Sequence, residues 1–204
     1  MSASELTALL LFCTAMSFSP GPNTTLSTAL AANRGLRGAL PFCLAVPTGW
    51  TLLMLATAAG LGALVTGVPA LRLALLGGGV AYLLWLAWRL WNAGTLGEAD
   101  PARLRVGFWQ GVGLQFLNIK AWLLALTLSA GWVLASGGAT APNPGERLAI
   151  VCAVMVLFAF GSNFTYALAG ALLRGWLARG RRLLWFNRAM ALVLVATAGW
   201  MTTA

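Results

Sequence analysis

Two short runs hold most of the chemistry that this chain can do. The first is Ser19-Pro20-Gly21-Pro22-Asn23, followed by Thr24. Two prolines around a glycine remove backbone donors and prevent a continuous helix, which frees amides and carbonyls to hold a small ligand or ion. A helix resuming near Pro22 presents its amino-terminal amides, and that end favours an anionic group. The plainer reading of the same run is a kink that helps packing. The second run is Gln115, Asn118, Ile119 and Lys120. Lys120 is the only ionisable side chain in the middle of a long apolar stretch. A cation so placed is a functional candidate by default, the bland alternative being pairing with backbone carbonyls. Ser162 and Asn163 make a third polar pair within a later apolar stretch; facing a cavity and bonding helix to helix are equally good readings of it. Thr24, Thr25, Ser27 and Thr28 follow the first break and read more weakly, as bonds to neighbouring backbone.

The elements that must carry these residues are membrane helices. Of 204 residues, 60% are hydrophobic and 8% charged, against about 25% charged in a soluble domain. A membrane helix needs about 20 mainly apolar residues, and six stretches qualify: Leu6 to Ala32, Ala39 to Thr66, Pro69 to Trp91, Gly107 to Ala135, Leu148 to Leu173 and Leu183 to Thr203. Arginine is sorted between their ends. Arg34, Arg37, Arg89, Arg103, Arg105, Arg174, Arg179, Arg181, Arg182 and Arg188 fall on one side, and only Arg72 and Arg147 on the other. Positive charge stays in the cytoplasm, so this tally predicts both termini outside. Trp88, Trp91, Trp109, Trp176 and Trp185 fall near cytoplasmic ends and Trp132 and Trp200 near outer ones, as interfacial rings prefer. Trp50 and Trp122 sit deeper, where packing and pore lining are equally good readings.

A polar segment over about residues 93–106, with Gly94, Gly97, Glu98, Asp100, Pro101, Arg103 and Arg105, reads as a cytoplasmic linker. It divides one polytopic domain into halves of three spans, about 4–92 and 107–204. An odd number of spans per half means that the second half enters from the opposite face, as in inverted-repeat transporters. Pro20 to Asn23 then lies about 21 to 26 Å from the outer surface and Gln115 to Lys120 about 12 to 20 Å from the inner one, at 1.5 Å per residue. The two runs meet at similar depth, each in the first span of its half. The outer connection from Ser136 to Glu146, with Gly137, Gly138, Pro142 and Asn143, is turn material.

Other classes of chemistry lack their residues. The net charge of +9 is carried by arginines at the ends of apolar segments rather than by a water-exposed basic face, which argues against nucleic acid. Cys13, Cys43 and Cys152 stand alone in apolar runs, and with no histidine and no CxxC pair there is no metal site. Glycine clusters lack the Lys-Ser/Thr of a phosphate loop. No histidine and no mid-membrane Asp or Glu is available for a proton relay or for hydrolysis. No catalytic residue and no cofactor is expected. Glu5, where a signal peptide would be basic, predicts a retained first span.

On these residues the chain resembles the lysine exporter (LysE/RhtB) family of amino-acid efflux permeases. The resemblance runs over nearly the whole length. Its most specific element is Ser19 to Asn23 with the Asn33-Arg34-Gly35-Leu36-Arg37-Gly38 turn. Ala81-Tyr82-Leu83 with Trp88-Arg89, Phe108-Trp109-Gln110-Gly111, Leu117-Asn118-Ile119-Lys120-Ala121 and Asn187-Arg188 support it. The resemblance implies an all-α membrane protein of six helices that exports amino acids or related metabolites to the periplasm across the bacterial inner membrane, driven by the proton gradient or membrane potential. Pro20, Gly21, Pro22 and Asn23 match the family's first-span motif, and Asn118 and Lys120 its Asn-Pro-Lys motif. Three residues depart from the pattern. Ile119 replaces the usual proline, which predicts a shallower second break; Asn23 stands where many relatives have Asp; and Asn163 stands where an acid is common.

A cationic ligand would need a buried anion, and neither asparagine supplies one. The expectation is therefore a neutral amino acid whose carboxylate meets Lys120 and the broken-helix amides. The predicted binding set is Pro20, Gly21, Pro22, Asn23, Thr24, Gln115, Asn118, Lys120, Ser162 and Asn163. Proton coupling would have to use Lys120 itself, or backbone and water groups. Beyond the substrate, the partner is the lipid bilayer, with room left for a homo-oligomer. The rival readings are a membrane redox carrier using the cysteines and a divalent-metal exporter of the same superfamily.

Overall fold

The computed structural model describes residues 1–93, 105–136 and 139–203. The expected linker residues Gly94, Gly97, Glu98, Asp100, Pro101 and Arg103, and Gly137 and Gly138 of the outer turn, lie outside these. The architecture is all-helical: α1 (Ala3–Phe18), α2 (Pro22–Ala56), α3 (Gly62–Gly67), α4 (Pro69–Trp91), α5 (Phe108–Leu117), α6 (Ile119–Leu128), α7 (Pro144–Leu177) and α8 (Arg182–Met201). Wider π-turns extend α2 over Thr57–Leu61 and α6 over Ser129–Val133, and Ala135–Ser136 pairs antiparallel with Ala139–Thr140.

Among the described residues, four helical segments are long and apolar enough to cross a membrane, namely Pro22–Val65, Pro69–Trp91, Pro144–Leu177 and Arg182–Met201. The pair Phe108–Leu117 and Ile119–Val133, bent by 70°, makes a fifth if it is one span. The six separate spans of the sequence reading are thus not six separate helices. The first is split at Ser19–Gly21, and its second part runs on into the next within one helical segment, interrupted at Gly35 (φ 74°, ψ 171°). A left-handed φ is open to glycine at little cost, so the predicted turn at 33–38 narrows to one residue.

α1 starts on a capping box: Ser2 Oγ accepts from Glu5 N–H at 3.2 Å, and Ser2 N–H donates to Glu5 Oε2 at 2.7 Å. The Glu5 carboxylate also pairs with Arg147 at 3.0 Å, and Trp132 Nε1 donates to Glu5 O at 3.1 Å. This network ties the start of α1 to the start of α7 and the end of the α6 segment. α2 packs chiefly on α7 and α5, and α4 on α8. Leucines such as Leu11, Leu73, Leu157 and Leu172 face outward over two thirds or nearly so of their surface, which in water would be a liability and in lipid is the favourable arrangement. Trp88, Trp109, Trp176, Trp185 and Trp200 are at least half exposed. Arg89 stacks on Trp85, Arg182 on Trp176, and Arg188 between Trp91 and Trp185, so the ends rich in arginine carry paired aromatic and cationic groups suited to an interface.

Apolar packing forms two main clusters. One gathers Leu26, Phe42, Val46, Leu86, Ala159 and Leu194, and the other Leu9, Trp50, Leu124, Leu128, Val151 and Met155. The site lies on the seam between them.

Candidate functional site

Both predicted breaks are present, and each is stabilised by side chains that satisfy the freed backbone. At the first, α1 ends at Phe18, Ser19 is extended (ψ 139°), and α2 starts at Pro22, where a missing N–H costs nothing. Phe18 O accepts from Tyr166 Oη at 3.0 Å and Met16 O from Ser19 Oγ at 2.8 Å. Thr24 Oγ1 accepts from Gly21 N–H and donates to Gly21 O, both at 3.1 Å. At the second, Asn118 is extended (φ −92°, ψ 103°) and its side chain accepts from Lys120 N–H at 3.2 Å. Trp122 Nε1 donates to Phe116 O at 2.8 Å. The second break is therefore not shallow. Asparagine at a helix N-cap does here what a proline does in the family pattern, with the 70° bend as the result.

Between the breaks lies a cavity of about 490 Å³, counted with its opening. Gly21, Pro22, Asn23, Thr24, Gln115, Asn118, Lys120, Ser162 and Asn163 line it, which brings nine of the ten predicted site residues together. Pro20 is the exception: it is exposed and does not line the cavity. It shapes the break rather than the wall. The sequence reading missed Met16, Ser17, Val46, Ala121, Leu124, Met155 and Ala159; it placed Ser19 in the breaking run but not in the binding set, and of its two deep tryptophans Trp50 lines the cavity while Trp122 packs beside the second break.

Lys120 is the one charged side chain in this lining. Its ammonium donates to Ser19 Oγ and lies beside Gly21, 3.7 Å from where a β-carbon on that glycine would stand. The first-turn amides of α2 have no intrahelical acceptor, so one cation and one helix amino terminus converge on the same space. Asn23 and Gln115 join the two broken helices by reciprocal amide bonds of 2.9 and 3.1 Å, and Gln115 Nε2 also donates to Gly111 O at 3.1 Å. Ser27 Oγ donates to Asn163 Oδ1 at 2.8 Å, while Asn163 Nδ2 and Ser162 Oγ donate to Ala159 O at 2.8 and 3.3 Å. Ser162 and Asn163 thus both line the cavity, and Asn163 also bonds α7 to α2, whereas Ser162 bonds only within α7. Cys13, Cys43 and Cys152 are free thiols, and no group of three or more His, Cys, Asp or Glu gathers among the described residues.

The amide pair carries a stability prediction. Asn23→Leu leaves the fully buried Gln115 Oε1 without its donor, and an unmet buried acceptor costs about 1–3 kcal/mol. The melting point in detergent should fall accordingly, and Asn23→Leu/Gln115→Leu should recover part of the loss because no orphaned amide oxygen remains. A double variant less stable than the single one would show that the pair is not the relevant contact.

The LysE type translocator family profile matches residues 14–203. Among curated relatives, the cysteine/O-acetylserine efflux protein of Klebsiella pneumoniae subsp. pneumoniae is 32% identical over 193 residues, covering 93% of this chain and 94% of that protein. The protein of the same name from Salmonella choleraesuis is 33% identical over 201 residues, with 96% of each chain covered, and that from Escherichia coli K12 is 31% identical over 200 residues, again with 96% of each covered. No solved structure has significant similarity to the chain.

Proposed function

The chain belongs to the LysE type translocator family, and on that premise we propose that it exports neutral amino acids from the cytoplasm by alternating access at the cavity between its two broken helices. One observation carries the reading: the cavity's single charged group is the Lys120 ammonium, set beside the amino terminus of α2, with no carboxylate in the lining. Such a site attracts the carboxylate of an amino acid and offers no anion to a cationic side chain. Cysteine and O-acetylserine, named for the relatives, are amino acids with uncharged side chains.

Six crossings in two inverted halves agree with the packing. The helical segment Pro22–Val65 has 44 residues, about 66 Å at 1.5 Å each, twice the roughly 30 Å of a hydrocarbon core, and Gly35 turns it. The breaks at Ser19–Gly21 and Asn118 fall in the first span of each half. Gly49 presses on the Val112 backbone and Gly170 on the Thr28 backbone, so the second span of each half meets the broken span of the other. The arginine distribution supports a placement of both termini in the periplasm, and the efflux relatives support the inner membrane of a bacterium as the location, with the proton gradient or the membrane potential as the drive.

Uptake into inverted vesicles tests the reading. Labelled cysteine, O-acetylserine, threonine, homoserine or leucine should accumulate and lysine should not; lysine uptake with none of the neutral set would overturn it.

A further inference from the structure

The polar side chains that line the cavity are nearly all satisfied: Ser19, Asn23, Gln115, Asn118, Lys120 and Asn163, among others, each have a hydrogen-bond partner. Two are not. Trp50 Nε1 and Ser17 Oγ are buried with no partner at all, and both residues line the cavity. Trp50 is 3% exposed and belongs to the same apolar cluster as Leu124 and Met155, which also line the cavity. An indole N–H can only donate, and buried donors without an acceptor are rare in folded proteins. Nor can α2 shift toward α5 to find one, because Gly49, next in sequence, already lies flush against Val112, whose carbonyl oxygen would be 2.7 Å from an added β-carbon.

We infer that Trp50 and Ser17 form the side-chain subsite of the transported amino acid and select side chains that carry a carbonyl oxygen. A carbonyl oxygen has two lone pairs and takes a bond from the indole and one from the hydroxyl. An O-acylated serine fits this demand, with an apolar acyl end for the Leu124 and Met155 wall. The inference rests on the proposed reading, in which the carboxylate of the same molecule meets Lys120.

The test uses purified full-length protein in proteoliposomes and two probes matched in size, O-acetylserine and O-ethylserine, which differ in the ester carbonyl. The wild type should transport O-acetylserine better. Trp50→Phe, which keeps an aromatic ring and deletes the N–H, should lower the ratio of O-acetylserine to O-ethylserine transport about tenfold, the effect of one neutral hydrogen bond. Ser17→Ala should lower the ratio in the same direction. A Trp50 that only packs would reduce both rates together, and an unchanged ratio overturns the inference. Should Trp50→Phe fail to insert, competition on the wild type decides: O-acetylserine must compete about tenfold better than O-ethylserine, and equal competition overturns the inference. Failure of the underlying reading is separable, because Lys120→Met would then still carry both probes.

Discussion

Lys120→Met should reduce gradient-driven export of a neutral amino acid about 100-fold, the scale of losing one member of a buried, hydrogen-bonded charge pair. The variant is designed to leave the fold intact. Methionine keeps most of the aliphatic stem, the cap on α6 uses the Lys120 backbone N–H rather than its side chain, and Ser19 Oγ retains Met16 O. Melting behaviour in detergent should match the wild type, and transport in proteoliposomes with an imposed gradient should not. Lys120→Arg should restore only part of the rate: the charge is kept, but the planar guanidinium is bulkier than an ammonium that lies beside Gly21. Export by Lys120→Met at the wild-type rate would remove both the carboxylate anchor and any role for this amine in moving a proton.

The polar half of this site was legible because its causes are local. Proline and glycine at 20–22 break a helix wherever they stand, and a lysine within an apolar stretch is anomalous in any context. Asn23 and Ser27 stand four residues apart just after the break, so two polar groups facing one way could also be read from spacing. What they face could not. The partners Gln115 and Asn163 are 92 and 136 residues away, and only the packing of α2 on α5 and α7 decides the pairing. The missing proline at Ile119 predicts a shallow second bend, whereas Asn118 itself supplies the cap that starts a new helix. The apolar lining, Met16, Leu124 and Met155 among it, carries no mark that separates it from ordinary core. Trp50 showed its difference only when its indole N–H was found without an acceptor. At the level of the fold, arginine sorting found the turn near Gly35, but not that the helix is regular up to the glycine on one side and directly after it on the other.

Gly170→Ala should be the most damaging glycine-to-alanine change among the described glycines of the chain's second half. A β-carbon there would stand 2.2 Å from Thr28 O, with Thr28 C and Cα at 3.0 and 3.1 Å. All three are backbone atoms in α2, so no side chain can rotate away, and α7 has to move off the helix it packs on most extensively. Close approach of this kind is the usual use of small residues between membrane helices. Overpacking costs about 1–3 kcal/mol and occasionally more, and the rigid neighbour puts this site at the upper end. Two glycines of the same helix serve as controls, since added β-carbons at Gly161 and Gly175 meet nothing within 4 Å. Gly161→Ala and Gly175→Ala should therefore melt at or slightly above the wild-type temperature, because alanine also favours helix by about 1 kcal/mol over glycine, while Gly170→Ala melts well below it. The consequence reaches the site: displacing α7 from Thr28 also stretches the Ser27–Asn163 bond one residue away. Substrate-dependent stabilisation should thus weaken in Gly170→Ala and persist in both controls. Equal melting points for all three variants would mean that α2 and α7 are not held in this contact.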